Sequence, residues 1–242
     1  MAQRHIRLGV RRLRPTVGVV AATLVMSALT SAPAAFAAPT ITAMWRLDEP
    51  AGATRMVDST GGGHDGTIST DVVTAAPGVS GSAYDFNGHG AIVRVPDPTG
   101  ALNPGRSALT ISAYLQVPTS LGAGDYNVLE KGQATASGGA YKLEIVGKTS
   151  SVKFGYPACA FNSSGAKQRA YGPKAINDGT WPRVECHLTT DKVYVSVDGL
   201  NGKVLSRTVG SIANIVELTL GGKPDNSHYF RGLADEVSIS IG

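Results

Sequence analysis

The chain has 242 residues, 42% of them hydrophobic and only 17% charged, with 30 glycines, 13 prolines and two cysteines. Its formal net charge of +4 is owed to Arg4, Arg7, Arg11, Arg12 and Arg14, ahead of the first acidic residue at Asp48. Beyond Ala37 the balance is 17 basic against 18 acidic residues, so the positive charge is no footprint of nucleic-acid binding. The 205 residues after Ala37 suit one all-β domain and are short for two.

The N-terminal stretch reads as an export signal. The five arginines form a positive n-region, Val17 to Leu29 an apolar h-region, and Ala35-Phe36-Ala37 a small-residue cleavage site. The apolar run is too short to span a bilayer and gives way to Ser27, Thr30 and Ser31. Arg11-Arg12 hints at twin-arginine export and leaves the route open. Residues 1–37 are therefore expected as a signal cleaved near Ala37, and residues 38–242 as a secreted, extracellular domain. No motif is repeated, which excludes a repeat array.

After the signal, the apolar period is two rather than 3.6. In Thr110 to Val117 the residues Ile111, Ala113, Leu115 and Val117 fall on one face and Thr110, Ser112, Tyr114 and Gln116 on the other. The same alternation predicts strands over Tyr141–Ile145, Val193–Val197 and Val237–Ile241. Shorter strands are expected at 44–47, 83–86, 92–95, 128–131, 152–156, 184–188, 204–209 and 217–220. Turn chemistry separates them: Gly61-Gly62-Gly63, Pro77-Gly78, Pro104-Gly105, Gly138-Gly139, Asp178-Gly179 and Asp198-Gly199. Thr190-Asp191 predicts a tight hairpin between the strands on either side of it. No helical stripe is long enough for a crossover helix, which argues against parallel α/β architectures and for a sandwich or barrel.

Motifs for nucleotide or hydrolytic chemistry are weak. Gly61 to Gly66 spells G-x-G-x-x-G, but Thr67-Ile68-Ser69 behind it is no helix whose N-terminus could hold a pyrophosphate. There is no G-x-S-x-G elbow and no H-E-x-x-H helix. Four histidines follow the signal: His64, His89 and His228 in expected loops and His187 on an expected strand. They read as surface residues rather than a zinc site. Cys159 and Cys186, in an exported chain, are expected to pair, closing a loop of 27 residues and tying the irregular stretch 160–180 to the strand at 184–188. Two buried free thiols are the alternative.

Six segments in order resemble the laminin-G-like jelly-roll family, within the concanavalin A-like superfamily. They are Trp45-Arg46-Leu47-Asp48-Glu49, the loop Asp58 to Thr67, Tyr84-Asp85-Phe86-Asn87-Gly88, Leu109 to Tyr114, Asn177 to Trp181 with Val197-Asp198-Gly199, and Phe230 to Val237. Pro182 stands where the family has His, and Tyr114 where Trp is common. The cysteines are similar in placement to those of a secreted bacterial subgroup. The resemblance implies an all-β, two-sheet antiparallel jelly-roll sandwich. It also implies a secreted, non-catalytic module that binds a glycan or a cell-surface protein through its loops. A glycanase or polysaccharide lyase on the same fold, or an envelope interaction protein, are the rival readings.

Glycanase chemistry needs two carboxylates about 5 to 10 Å apart. On single strands no such pair is visible: Glu144 has Lys142 and Val146 as same-face neighbours, and Asp235 and Glu236 point opposite ways. Calcium is the one cofactor the resemblance suggests, with Asp235, Asp48, Asp58 and Asp85 as its oxygen ligands. These aspartates could equally serve local backbone hydrogen bonds in turns. For a saccharide platform the loop aromatics Tyr126, Phe161, Tyr171 and Tyr229 are the candidates, while Trp45, Phe86, Phe154 and Trp181 read as core. The domain is expected to act as a monomer, without nucleic-acid partner or stable membrane anchor, since the sequence shows no sorting motif or C-terminal hydrophobic tail.

Overall fold

Period-two alternation resolves into strands throughout the described residues, and no helix occurs among them. The computed structural model describes residues 1–2, 9, 40–133, 137–147, 153–163 and 166–242. The expected signal peptide lies, but for residues 1, 2 and 9, outside the described residues. Residues Ala37–Gly242 form one compact unit.

In chain order the strands are β1 (Thr40–Trp45), β2 (Arg55–Met56), β3 (Gly66–Ile68), β4 (Val73–Pro77), β5 (Ser82–Asn87) and β6 (Val93–Val95). The middle of the chain adds β7 (Leu109–Gln116), β8 (Tyr126–Gly132), β9 (Ala140–Ile145), β10 (Pro157–Ser163) and β11 (Ala166–Tyr171). The last third adds β12 (Arg183–Leu188), β13 (Lys192–Val197), β14 (Leu200–Asn201), β15 (Leu205–Ser206), β16 (Leu218–Leu220) and β17 (Arg231–Ile241).

They form two antiparallel sheets. The nine-stranded sheet runs β14-β13-β12-β7-β17-β5-β4, with β1 on β17 and β15 on β13. The eight-stranded sheet runs β11-β10-β9-β8-β16-β6-β3-β2. Inward residues of both sheets make a shared core, as a sandwich requires. In β7 the alternation is kept, with Ile111, Ala113 and Leu115 buried and Thr110, Tyr114 and Gln116 half-exposed on the other face. The hairpin at Thr190-Asp191 forms as expected, with Leu188 paired to Val193.

Large side chains fill the space between the sheets: Trp45, Tyr84, Tyr141, Phe86, Phe161 and Phe230 are each at most 1% exposed. The Phe86 ring lies 5.8 Å from that of Phe230 and 6.5 Å from that of Tyr84, both tilted, in the range where aromatic edges meet faces. Buried polar atoms in this layer find partners. The Trp45 indole N–H donates to the His64 carbonyl at 2.7 Å. Lys131, wholly buried, pairs with Asp97 at 3.1 Å and donates to Asn214 and Val216, joining two loops at one end of the sandwich.

The cysteines are joined. Cys159 on β10 and Cys186 on β12 stand in different sheets, their Cα atoms 5.7 Å apart, so the bridge staples the sandwich across its core. In this it differs in part from the sequence reading, because the first half of the stretch expected to be irregular is strand, and only residues 172–182 before β12 are without one. β10 and β11 pair as a hairpin with continuous register from Ala158–Tyr171 to Ser163–Ala166. The strand expected at 152–156 is displaced: residues 153–155 turn, and Gly155 takes φ of 75° where a Cβ would meet the Asn177 side chain. The strand expected at 204–209 shrinks to Leu205–Ser206.

Candidate functional site

Strand β8 carries a bulge that decides what the eight-stranded sheet shows to solvent. Its register with β9 shifts between Asn127 and Leu129, and Val128 and Leu129 both turn into the core. Residues three apart on a regular strand face opposite sides. The extra residue restores Asn127 and Glu130 to one face, the outer one, alongside Lys142 and Glu144 of β9. Glu130 pairs with Lys142 and Asn127 with Glu144 in the ladder. The two glutamates therefore sit on a diagonal, with backbones about 7 to 8 Å apart.

Both carboxylates are buried, Glu130 to 4% and Glu144 to 2% exposure, although they lie on the outside of the sandwich. Their surroundings differ. Glu144 is held on both oxygens, Oε1 by Arg169 of β11 at 2.8 Å and Oε2 by Lys142. Arg169 reaches on to Asp125 at 2.9 Å and lies 5.2 Å over the Tyr171 ring. Glu130 has no such clamp. Its Oε2 is buried without a hydrogen-bond partner. Burial pushes its carboxyl up to about 7, against the pull of Lys142 and Lys223 and with the push of Glu144 and Asp225.

Glu130 opens on a cavity of about 140 Å³. Ala140 and Ala160, both buried, leave the room, and Gln133, Lys142, Asn162, Lys167, Lys223 and Asp225 surround it. Among the described residues three buried side-chain atoms lack a partner, namely Asn127 Oδ1, Glu130 Oε2 and Arg169 Nε. All three belong to residues on this one face. Folded proteins satisfy nearly all buried polar groups, and each exception calls for an explanation such as strain, catalysis or a bound water, ion or ligand.

The residues singled out from sequence fare unequally. Phe161, expected at a loop, is wholly buried in β10, where it alternates with outward Ala160 and Asn162, and it is corrected to the core. Tyr126 packs against the core, and its hydroxyl accepts the Gly122 N–H at 2.6 Å. Tyr171 lies half-exposed on the outer face under Arg169. Tyr229 is half-exposed in the segment that bridges to Asn127, and packs on Gly222. Two of the four aromatics thus border the cavity-bearing face. Trp45 and Phe86 are core as expected, Phe154 packs on the core from its edge, and Trp181 is only half-buried.

No group of three or more His, Cys, Asp or Glu side chains able to hold a metal occurs among the described residues. Of the four aspartates offered to calcium, Asp48 and Asp235 lie near enough to push on each other electrostatically, and three of the four accept backbone hydrogen bonds. Asp58 accepts from the backbone of Met44, Thr60 and His64 and from the Thr60 hydroxyl. Burial pushes its carboxyl up, but these bonds outweigh it and hold it below the usual range. Asp48 accepts the Ser82 N–H at 2.8 Å. Asp235, wholly buried, accepts the N–H groups of Val79, Ser80 and Glu236, and burial still holds it above the usual range. Asp85 sits half-buried on β5, raised by burial against the pull of Arg231. Asp48, Asp58 and Asp235 thus anchor loops. In the same way the 61–66 glycine motif is a turn wrapped on Asp58, with Gly61 and Gly63 at φ of 75° and 83° and strand β3 behind it. His64, expected at the surface, is buried in that turn at 9% exposure.

Glu130, Lys142, Glu144 and Arg169 were not singled out as a group, because their meeting depends on strand order and on the bulge. The one visible signal was a glutamate next to the apolar pair Val128-Leu129 in an expected strand. The two carboxylates that single-strand spacing failed to supply do meet across β8 and β9. Both Glu144 oxygens are committed to cations, while Glu130 Oε2 has no partner.

No protein-family model and no curated relative matches the sequence. Solved structures do. The binding domain of Paraclostridial Mosquitocidal Protein 1 is 13% identical with a TM-score of 0.63, over 84% of this chain and 48% of that one. Domain 4 of AbnA, a GH43 extracellular arabinanase from Geobacillus stearothermophilus, in complex with arabinotriose, is 19% identical with a TM-score of 0.56, over 84% and 93%. Domains LG4-5 of the mouse laminin alpha1 chain are 15% identical with a TM-score of 0.52, over 70% and 45%. This chain spans about half the length of the first and third, and nearly all of the second. The likeness shows the fold: a two-sheet antiparallel jelly-roll sandwich of the laminin-G-like kind.

Proposed function

We propose that the chain is an exported, non-catalytic carbohydrate-recognition module whose ligand seats on the outer face of the eight-stranded sheet, over Glu130. The observation that carries this reading is the buried carboxylate oxygen of Glu130, left without a partner at a polar cavity. Saccharide hydroxyls are donors and acceptors at once, so a carboxyl group flanked by the Gln133 and Asn162 amides is a fitting partner. The disulfide supports export, since such bridges persist in oxidising compartments. The likeness over nearly the full length of a domain bound to arabinotriose supports a saccharide among possible ligands.

A glycan array with the purified protein, repeated with Ala160→Leu, tests the proposal. Leucine at 160 fills the cavity from β10 without touching the core. Binding by the native chain and its loss in a variant of unchanged melting temperature is the expected result. Undiminished binding by Ala160→Leu, or reducing-sugar release from a polysaccharide panel, overturns it.

A further inference from the structure

We infer that the cavity over Glu130 takes an acidic sugar, a uronate residue, and that Glu130 carries a proton while the sugar carboxylate is bound; the inference rests on the recognition reading above. Three ammonium groups border the cavity, those of Lys142, Lys167 and Lys223. Lys142 is engaged by Glu144, whereas Lys167 and Lys223 form no ion pair among the described residues. Neutral hydroxyls need no such cations. A carboxylate does, and two uncommitted ammonium groups beside a cavity can receive one.

Glu130 decides the rest. Ionised, it would stand as a second anion beside the bound carboxylate. Protonated, it becomes a donor, and its partnerless oxygen gains an acceptor to meet. The charged groups around it are Lys142 and Glu144 on β9, Lys167 and Arg169 on β11, and Lys223, Asp225 and His228 in the segment between β16 and β17. Asp125 is bound to Arg169, and on the far side Arg94 of β6 is paired with Glu217. Burial favours the neutral carboxyl before any ligand arrives, and the two lysines only partly offset it. A bound anion adds to the push. Binding is therefore coupled to one proton at Glu130.

Calorimetry with oligogalacturonate and oligoglucuronate trimers, and with arabinotriose and xylotriose as neutral counterparts, tests this at about pH 6 and about pH 8.5. Affinity for an acidic trimer should fall by about thirtyfold between the two, because only the protonated fraction of Glu130 is competent. Glu130→Gln, whose amide donates at every pH, should bind the acidic trimer with a flat profile, and Lys223→Gln should weaken it without touching any neutral trimer. Neutral trimers bound in preference, or an acidic trimer bound without pH dependence, overturn the inference and leave the recognition reading standing. No binding of any saccharide, on this panel and on the array, overturns both.

Discussion

Glu130→Gln is expected to stabilise the protein at neutral and alkaline pH and to leave it unchanged in acid. The glutamate carboxyl, at about 7 in the folded chain, would titrate near its ordinary value of 4.5 in the unfolded chain. A raised carboxyl means that the folded state holds the proton more tightly, so its contribution to stability is whole below the unfolded value. It is lost as pH rises from there through the folded value, and above about 7 the folded state carries a buried, partnerless anion. One pKa unit corresponds to about 1.4 kcal/mol, so the whole excursion is worth about 3 kcal/mol. Glutamine has the same shape and nothing to ionise. The difference between variant and native chain should therefore open from near zero at about pH 4 to about 3 kcal/mol above pH 7, a rise in melting temperature of roughly 6 to 12 °C for a domain of this size. Thermal melts followed by circular dichroism across that range measure it. A difference that is flat with pH, or a native chain that overtakes the variant in alkali, refutes the assignment of the buried carboxyl.

Two further outcomes follow from the loop anchors and the bridge. Cys159→Ala with Cys186→Ala should lower stability by about 3 to 4 kcal/mol, the entropy of a 27-residue closure, with reductant reproducing the loss in the native chain; chemical denaturation with and without reductant reads both. Asp235→Ala should cost about 1 to 3 kcal/mol, because it removes three charge-assisted, part-buried hydrogen bonds from the N–H groups of Val79, Ser80 and Glu236. Millimolar calcium should shift the melting temperature of neither protein, and a clear rise in the native chain would show that these carboxylates gather a cation after all.

How much of this was legible in the sequence varies with the physics of each element. Strands β7, β9, β12, β13 and β17 hold β-branched or large apolar residues on one face and polar ones on the other, and that contrast reads directly. The hairpin of β10 and β11 escaped because its outward positions on β10 are alanines and an asparagine: Ala158, Ala160 and Asn162 contrast poorly with Cys159 and Phe161. Strands β2, β14 and β15, of two residues each, are too short to show a period at all. The cysteines were paired correctly from compartment alone, but what the bridge joins depends on which sheet each strand enters, and no local pattern carries that.

The candidate site was hidden for a related reason. In a sandwich the inner face is dictated by burial, and the outer face is where a sequence can place chemistry without disturbing the core. Sequence reasoning looked for that chemistry in loops, among tyrosines and aspartates. Asp48, Asp58 and Asp235 turned out to hold the loops themselves, their carboxylates replacing backbone partners that a turn leaves bare, as Asp235 does for Val79 and Ser80. The unspent polar atoms lie on the strands instead, where a one-residue bulge in β8 moves Glu130 to the outer face beside a lysine from β9 and two alanines small enough to leave a hollow. Glutamine in place of Glu130 would be the more stable choice at neutral pH. On the proposed reading, a buried acid that weakens the fold, set where its free oxygen faces a cavity ringed by lysines, is kept for the ligand that meets it there.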